Sequence, residues 1–259
     1  ALPIYACAKV GIRVTVLEAS DRLGGAVRTI DLAGAGTYSL VTDKPAALAQ
    51  QGARSIDVVE DGTNGTRVQR VFTAAELDWN VADWSVAGWF KRRDTTNDDI
   101  VWHISDGDGF GSNDELYLNC PAGATTVRLQ HFNAAGAALD VDIAKAGITA
   151  GGWHHFAVVR SGTSISLYID GTLAGTDSAF ALALNQTNPL VFGGHASTTF
   201  AQQRWFDGGL DELMVSKAVL DATQIASLAN GTTARHFGGL STASTISLSA
   251  APVNYVWTS

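Results

Sequence analysis

WHHFAVVRSGTSISLYIDGTLAG, residues 153–175, reads as consecutive β-strands joined by tight turns. Apolar and polar residues alternate strictly over residues 165–169, so apolar side chains face one side and polar side chains the other. Asp170-Gly171 tolerates the positive φ of a hairpin turn, and 172–174 begins a return strand. Upstream, residues 153–160 form a second run rich in aromatic and β-branched residues. The stretch therefore predicts a half-buried β-hairpin.

The same kind of pattern recurs at short intervals between residues 54 and 216. Turn-forming glycine, asparagine and aspartate clusters separate nearly all of the strand-like runs. The predicted strands cover residues 55–60, 67–72, 84–91, 99–105, 115–119, 126–132, 139–143, 153–160, 164–170, 189–192 and 205–216. Short strands without intervening helices indicate an all-β sandwich or jelly roll.

One helix is predicted after these strands, in LDATQIASLANG at residues 220–231. Asp221 or Thr223 could cap its N-terminus, and Gly231 can end it. Beyond it, residues 245–248 and 253–257 form two further strand-like runs that could complete a sheet edge or pair with a neighbour.

Composition narrows the possible partners. The chain has 259 residues, enough for one substantial core, and a formal net charge of −8, which argues against a nucleic-acid partner. It contains no apolar run of about 18 residues, so no membrane span is expected. Its two cysteines, Cys7 and Cys120, permit one disulfide or two free thiols, and the compartment stays open.

Three separate motifs carry a family resemblance. WSVAGWFK at 84–91, the hairpin string at 153–175, and FDGGLDEL at 206–213 followed by AVLDATQI at 218–225 occur in the order typical of laminin-G-like domains. The chain thus resembles the concanavalin A-like lectin/glucanase group over about residues 54–231. The resemblance implies an all-β, concanavalin A-like jelly-roll β-sandwich with one short C-terminal helix.

The N-terminal residues resemble two different families. Residues 8–30 are similar to the second half of the dinucleotide-binding unit of flavin amine oxidases, but no glycine-rich phosphate turn precedes them in this sequence. Residues 17–20 and 31–38 resemble the opening of bacterial laminin-G-like domains. We interpret the flavin likeness as coincidental and expect no flavin. The predicted division is an N-terminal strand segment at 1–33, a jelly roll at 34–231 and a strand-like tail at 232–259.

Catalysis is not expected, although the related group includes glucanases. Retaining hydrolysis needs two carboxylates about 5 Å apart, which those enzymes place on one strand as E-x-D-x-x-E. No such string occurs, and the acidic pairs 114–115 and 211–212 are sequence neighbours, which point to opposite faces of a strand. None of the six histidines has a G-x-S-x-G partner. A glycoside hydrolase is therefore only the third hypothesis.

Calcium is the predicted cofactor. The loop DGDGFGSND at 106–114 supplies the hard oxygen ligands Asp106, Asp108, Asn113 and Asp114, although a solvated acidic turn fits the same residues. Asp211 could hold a structural ion together with another acidic loop, or it could cap a turn by accepting backbone N–H groups.

The leading hypothesis is a non-catalytic binding or adhesion module that recognises a glycan or a protein outside the cell, on a cell surface or on a virion. Carbohydrate recognition combines aromatic faces with hydrogen-bonding side chains. Trp102, His103, Gln203 and Trp205 could supply them. The alternative is a structural subunit, a virion decoration, fibre or cell-surface component, that self-assembles through its termini.

Overall fold

The structure of the chain, a computed structural model, forms a β-sandwich. It describes residues 14–17, 27–33, 37–41, 43, 55–60, 67–70, 72, 74, 77–105, 114–132, 139–184, 189–196, 204–231 and 255–257. Its elements are β1 (Val14–Leu17), β2 (Val27–Ala33), β3 (Thr37–Val41), β4 (Ser55–Val59), β5 (Arg67–Arg70), β6 (Trp84–Arg92), β7 (Asp99–Ser105), β8 (Glu115–Cys120), β9 (Thr126–Phe132), β10 (Leu139–Ala146), β11 (Trp153–Ser161), β12 (Ser164–Ile169), β13 (Thr172–Asp177), β14 (Leu190–Phe192), β15 (Gly208–Ser216), α1 (Ala222–Ala229) and β16 (Tyr255–Trp257).

The strands form two antiparallel sheets. The first sheet has the order β1-β2-β5-β14-β7-β8-β9-β10, and the second has the order β13-β12-β11-β6-β15-β4-β3. In the second sheet, β16 also pairs with β15. The all-β sandwich with one short helix that the sequence predicts is thereby confirmed. The eight-residue α1 is the only helix among the described residues, and none there is long and apolar enough to cross a membrane.

The hairpin at 153–175 forms as its pattern predicts. Burial alternates along β12, whose isoleucines and leucine face the core. Asp170 and Gly171 have φ values of 50° and 77°, so both turn residues are left-handed, as in a type I′ turn. The Asp170 carboxylate accepts the His155 backbone N–H at 2.8 Å and lies 2.9 Å from His154 Nδ1. Both histidine residues thus hold the turn in place.

The main core lies between the sheets and is rich in tryptophan. Trp79 packs edge-on against Trp84 with ring centroids 5.3 Å apart, and Trp84 packs against Trp102 at 6.5 Å. Burial of each large apolar side chain contributes about 1.5–3 kcal/mol, so this cluster joins the two sheets strongly. Cys120 lies in the same core as a free thiol, and burial raises its pKa to about 12.

A smaller core lies under α1, on the outer face of the second sheet. Ile225 and Leu228, three residues apart, pack with the side chains Ala87, Ala157, Val159, Met214 and Leu220. Asp221 is the N-cap of the helix and forms a capping box with Gln224. The helix therefore covers part of the outer face of the second sheet.

The N-terminal strands belong to the sandwich. β1 pairs with β2 in antiparallel orientation, and β2 continues the first sheet beside β5. A dinucleotide-binding unit would instead pair its strands in parallel. β3 pairs with β4 at the edge of the second sheet.

Candidate functional site

The outer face of the first sheet carries a row of mostly polar side chains. Strand pairing aligns Gln69, Val191, His103, Tyr117 and Gln130 across β5, β14, β7, β8 and β9. Successive residues of a strand face opposite sides, and the alternate residues of these strands fill the core. The aligned row therefore points away from the core.

Three side chains at the middle of this face form what we call the His–Glu cluster, His103, Glu115 and His195. All three side chains are fully buried, and one ligand atom from each lies within 4.8 Å of the others. His103 Nε2 lies 3.2 Å from Glu115 Oε2, and His195 Nε2 lies 3.7 Å from the same oxygen. The two imidazole rings are 4.3 Å apart. The cluster joins two strands of the sheet to the segment that follows β14.

A backbone contact fixes the proton of His103. The Ala196 N–H donates to His103 Nδ1 at 2.8 Å, so this nitrogen carries no proton and the neutral ring holds its proton on Nε2. The Nε2–H group of His103 then donates to the Glu115 carboxylate. Burial, together with the neighbouring His195, lowers the pKa of His103 to about 4. His103 is therefore neutral at pH 7.

Arg67 brings a buried positive charge beside the cluster. Its Nη1 donates to the carbonyl oxygen of His195 at 2.5 Å, and its Nε donates to Gln69 Oε1 at 3.1 Å. Burial lowers the pKa of Arg67 to about 10, which still leaves the guanidinium charged at pH 7. Its positive charge further opposes protonation of His103 and lowers the pKa of that ring.

Trp205 is the half-buried aromatic side chain of this region. Its indole lies against the backbone of Gly194, where a Cβ atom would come within 2.7 Å of Trp205 Cε3. The Arg67 guanidinium carbon lies 5.8 Å from the centre of the indole. The Phe206 N–H donates to the Gly193 carbonyl oxygen, so the two ends of the connection between β14 and β15 are tied together beside the indole. A side chain at position 194 would therefore collide with the indole.

The His–Glu cluster has donor separations that suit a metal ion. Around a tetrahedral zinc ion with bonds of about 2.0–2.1 Å, neighbouring ligand atoms lie about 3.3 Å apart, close to the observed 3.2 and 3.7 Å. A metal-bound histidine, however, normally donates its second ring N–H outward, whereas His103 Nδ1 accepts from Ala196. The arrangement therefore suits a proton on His103 Nε2 better than a metal ion.

The predicted ligand-binding residues separate into different places. His103 and Trp205 both lie on the outer face of the first sheet, and Arg67 and the rest of the cluster link them. Trp102, the neighbour of His103 in β7, faces the other way and is fully buried in the core. Gln203 lies outside the described residues. Sequence reasoning missed Arg67, Glu115 and His195, although Arg67 and Glu115 are charged residues at outward positions of their strands.

Of the predicted calcium ligands, the structure describes only Asp114 and Asp211. Asp114 lies 2.9 Å from His131 Nε2 and accepts the Ala183 N–H. Asp211 lies in β15 of the second sheet, and its carboxylate accepts the Glu212 N–H at 2.8 Å. Asp106, Asp108 and Asn113 are outside the described residues, so calcium binding by the 106–114 loop stays a prediction.

Comparisons with solved structures agree with this fold. Domain 4 of AbnA, a GH43 extracellular arabinanase from Geobacillus stearothermophilus solved in complex with arabinotriose, superposes with a TM-score of 0.55 at 16% identity, covering 77% of this chain and 88% of that one. The binding domain of botulinum neurotoxin serotype D/C VPI 5993 gives a TM-score of 0.55 at 10% identity, covering 84% of this chain but only 51% of that one.

Sequence comparison adds the family. No curated protein sequence matches the chain. A family model described as the concanavalin A-like lectin/glucanases superfamily matches residues 63–226, which is more than half of the chain. This match spans β5 to β15 and most of α1, and therefore most of both sheets. The chain belongs to the concanavalin A-like lectin/glucanase superfamily.

Proposed function

We propose that this chain is a non-catalytic carbohydrate-binding module that acts outside the cell or at a surface. The observation that carries the proposal is Trp205, a half-buried indole packed against Gly194 beside the outer face of the first sheet. A flat aromatic ring offers its face to the C–H groups of a sugar, while adjacent polar groups bond the hydroxyls.

Further side chains on the same face support a glycan ligand. Phe132 is half-buried and stacks on Tyr117 with the ring planes 8° apart. Arg128 forms an ion pair with Asp142 across the neighbouring strands. A saccharide on this face would meet the half-buried rings of Trp205 and Phe132 and the partly exposed Arg128 and Asp142, since His103, Glu115 and Tyr117 are buried. The arabinotriose bound by the AbnA domain shows that a related fold can hold such a ligand.

The carboxylates near this face support a non-catalytic role. Glu115 is fully buried and bonded to His103, whereas its neighbour Asp114 is bonded to His131. The two side chains therefore have different partners, as expected for adjacent residues at the start of a strand. Glycoside hydrolysis needs two carboxylates that flank one bond, and this pair is not arranged in that way.

Glycan binding can be tested with Trp205→Ala and the matched variant Trp205→Phe. We expect the wild type to bind neutral saccharides on a glycan array, Trp205→Ala to lose about tenfold or more in affinity, and Trp205→Phe to lose much less, because a smaller ring keeps part of the stacking. Arrays run in calcium and in a chelator test the predicted calcium dependence at the same time. If the wild type bound no saccharide in either condition, the proposal would be wrong.

A structural subunit is the second candidate, and one observation favours it. β16, from the C-terminal tail, pairs with residues 213–215 of β15. These residues lie beyond residues 208–210, which pair with β4. A terminal strand that completes a sheet can also complete the sheet of a second copy, which is a route to assembly. Size-exclusion chromatography of chains with and without residues 236–259 distinguishes the two roles.

A further inference from the structure

On the outer face of the second sheet, a second indole side chain packs against a glycine. Trp153, the first residue of β11, is half-buried, and a Cβ atom at Gly209 would come within 2.5 Å of its Cη2 atom. Strand pairing aligns Gly209 with Lys91 and Lys91 with Trp153. The indole therefore extends across β6 and contacts β15 at Gly209, where a side chain would collide with it. This repeats the arrangement of Trp205 on Gly194, on the opposite side of the molecule.

Charged side chains lie beside this indole and beside Gly209, which pairs with Asp57. Lys91 Nζ lies 5.7 Å from the ring centre and pairs with Asp43, which also lies 3.4 Å from Trp153 Nε1. Arg93 donates to Asp57 and to Asp207, both at 2.9 Å. The side chains of Asp43 and Arg93 are 52% and 44% exposed. Acceptors and donors are thus available to a ligand beside the ring.

We propose that this surface, which we call the Trp153 platform, is a second carbohydrate-binding site for an uncharged sugar ring. It contains two cations and three carboxylates, so its net charge of −1 disfavours sialylated, uronic or sulfated sugars. Ion-paired carboxylates and guanidinium groups in fixed positions accept and donate hydrogen bonds to neighbouring hydroxyls, while the indole stacks on the sugar C–H groups.

The size of the apolar surface favours a sugar over a protein partner. One face of an indole presents roughly 100 Å², whereas a stable protein interface buries about 800 Å² on each partner. A single sugar ring matches the smaller area. With the Trp205 site on the other sheet, the module would be bivalent and would bind polymeric glycans more tightly than short ones.

The test is affinity electrophoresis in gels containing arabinan, xylan or galactomannan, with Trp153→Ala, Trp205→Ala and the double variant. We expect each single variant to weaken binding to the polymer about tenfold, and the double variant to migrate as it does without polysaccharide. Trp153→Phe, which keeps a ring, should retain most of the binding. Thermal melts followed by circular dichroism verify that each variant folds.

Oxidation of tryptophan in the wild-type protein gives a readout that needs no variant. N-bromosuccinimide should oxidise the half-buried Trp153 before the buried Trp84, Trp89 and Trp102, and arabinan, xylan or galactomannan should protect it.

If Trp153→Ala binds as tightly as the wild type and Trp153 is not protected, this inference is wrong while the proposed function stands. If only Trp153→Ala loses binding, the platform stands and the Trp205 site is wrong. Failure of the wild type to bind any of the three polymers overturns both.

Discussion

At the scale of the residue, His103 couples the polar face of the first sheet to pH. Its folded pKa of about 4 lies below the ordinary value of 6.5, because burial and the nearby His195 oppose the charged form. Between these values the unfolded chain binds a proton at this residue and the folded chain does not. Stability from a neutral His103 is therefore complete above pH 6.5 and decreases as pH falls toward 4, by about 3 kcal/mol.

The variant His103→Gln tests this dependence. Its amide can donate to Glu115 and its carbonyl oxygen can accept the Ala196 N–H, but it takes up no proton. We expect the stability advantage of the wild type over the variant, measured by urea unfolding, to shrink by about 3 kcal/mol between pH 7 and pH 4. Titrating groups remote from His103 are common to both proteins and cancel in the difference. Parallel stability curves over this range would contradict the assignment.

Single residues also show why the sequence located the site only in part. The sequence makes both Trp102 and His103 candidate ligand-binding residues. Neighbours on a strand face opposite sides, however, so only one of the two can point outward. A register irregularity between Ile100 and Trp102 shifts the alternation of β7, and the local pattern does not reveal it. Arg67 and His195 are 128 positions apart, and only the folded chain brings them together.

At the scale of the element, the turn between β12 and β13 supports α1 as well as its own hairpin. Gly171 has φ of 77°, and a Cβ atom there would lie 3.2 Å from both Ala226 Cα and Ala229 Cβ. We expect Gly171→Ala to destabilise the protein by about 2 kcal/mol, since a left-handed alanine costs about 1 kcal/mol and crowding against the helix adds to it. The free energy of unfolding in urea measures this loss.

Gly162→Ala is the matched control for this turn. Gly162 joins β11 to β12 with φ of 59°, but no atom lies within 4 Å of the position of an added Cβ. It should therefore show only the backbone cost of about 1 kcal/mol. Equal losses in the two variants would mean that α1 gains nothing from the absence of a side chain at 171.

Most elements could be predicted because their signals are local. Strict alternation specified β12, Asp170-Gly171 specified its turn, and Asp221 with Gln224 specified the start of α1. Their order within the sheets could not be read in the same way. β14 lies between β5 and β7, which precede it by many residues, and that insertion creates the polar row of the candidate site. Strand pairing at such sequence separation leaves no short-range pattern.

At the scale of the whole molecule, the C-terminal strand β16 covers part of one edge of β15 in the second sheet. β15 pairs with β6 on one side, while the other side is shared by β4 at residues 208–210 and β16 at residues 213–215. An uncovered strand edge presents free N–H and C=O groups that pair readily with other chains. The C-terminal strand therefore covers an edge that would otherwise promote association.

Removing residues 236–259 should accordingly expose β15. We expect the truncated chain to lose about 1–3 kcal/mol of stability with its few strand hydrogen bonds and to associate more than the full chain in size-exclusion chromatography. Val256→Pro, which removes a backbone donor in a chain of unchanged length, should change both properties in the same direction. The opposite result, an oligomeric full chain that becomes monomeric on truncation, would show that β16 joins copies together. That outcome would favour the structural subunit over the isolated binding module, because the tail would then form the interface.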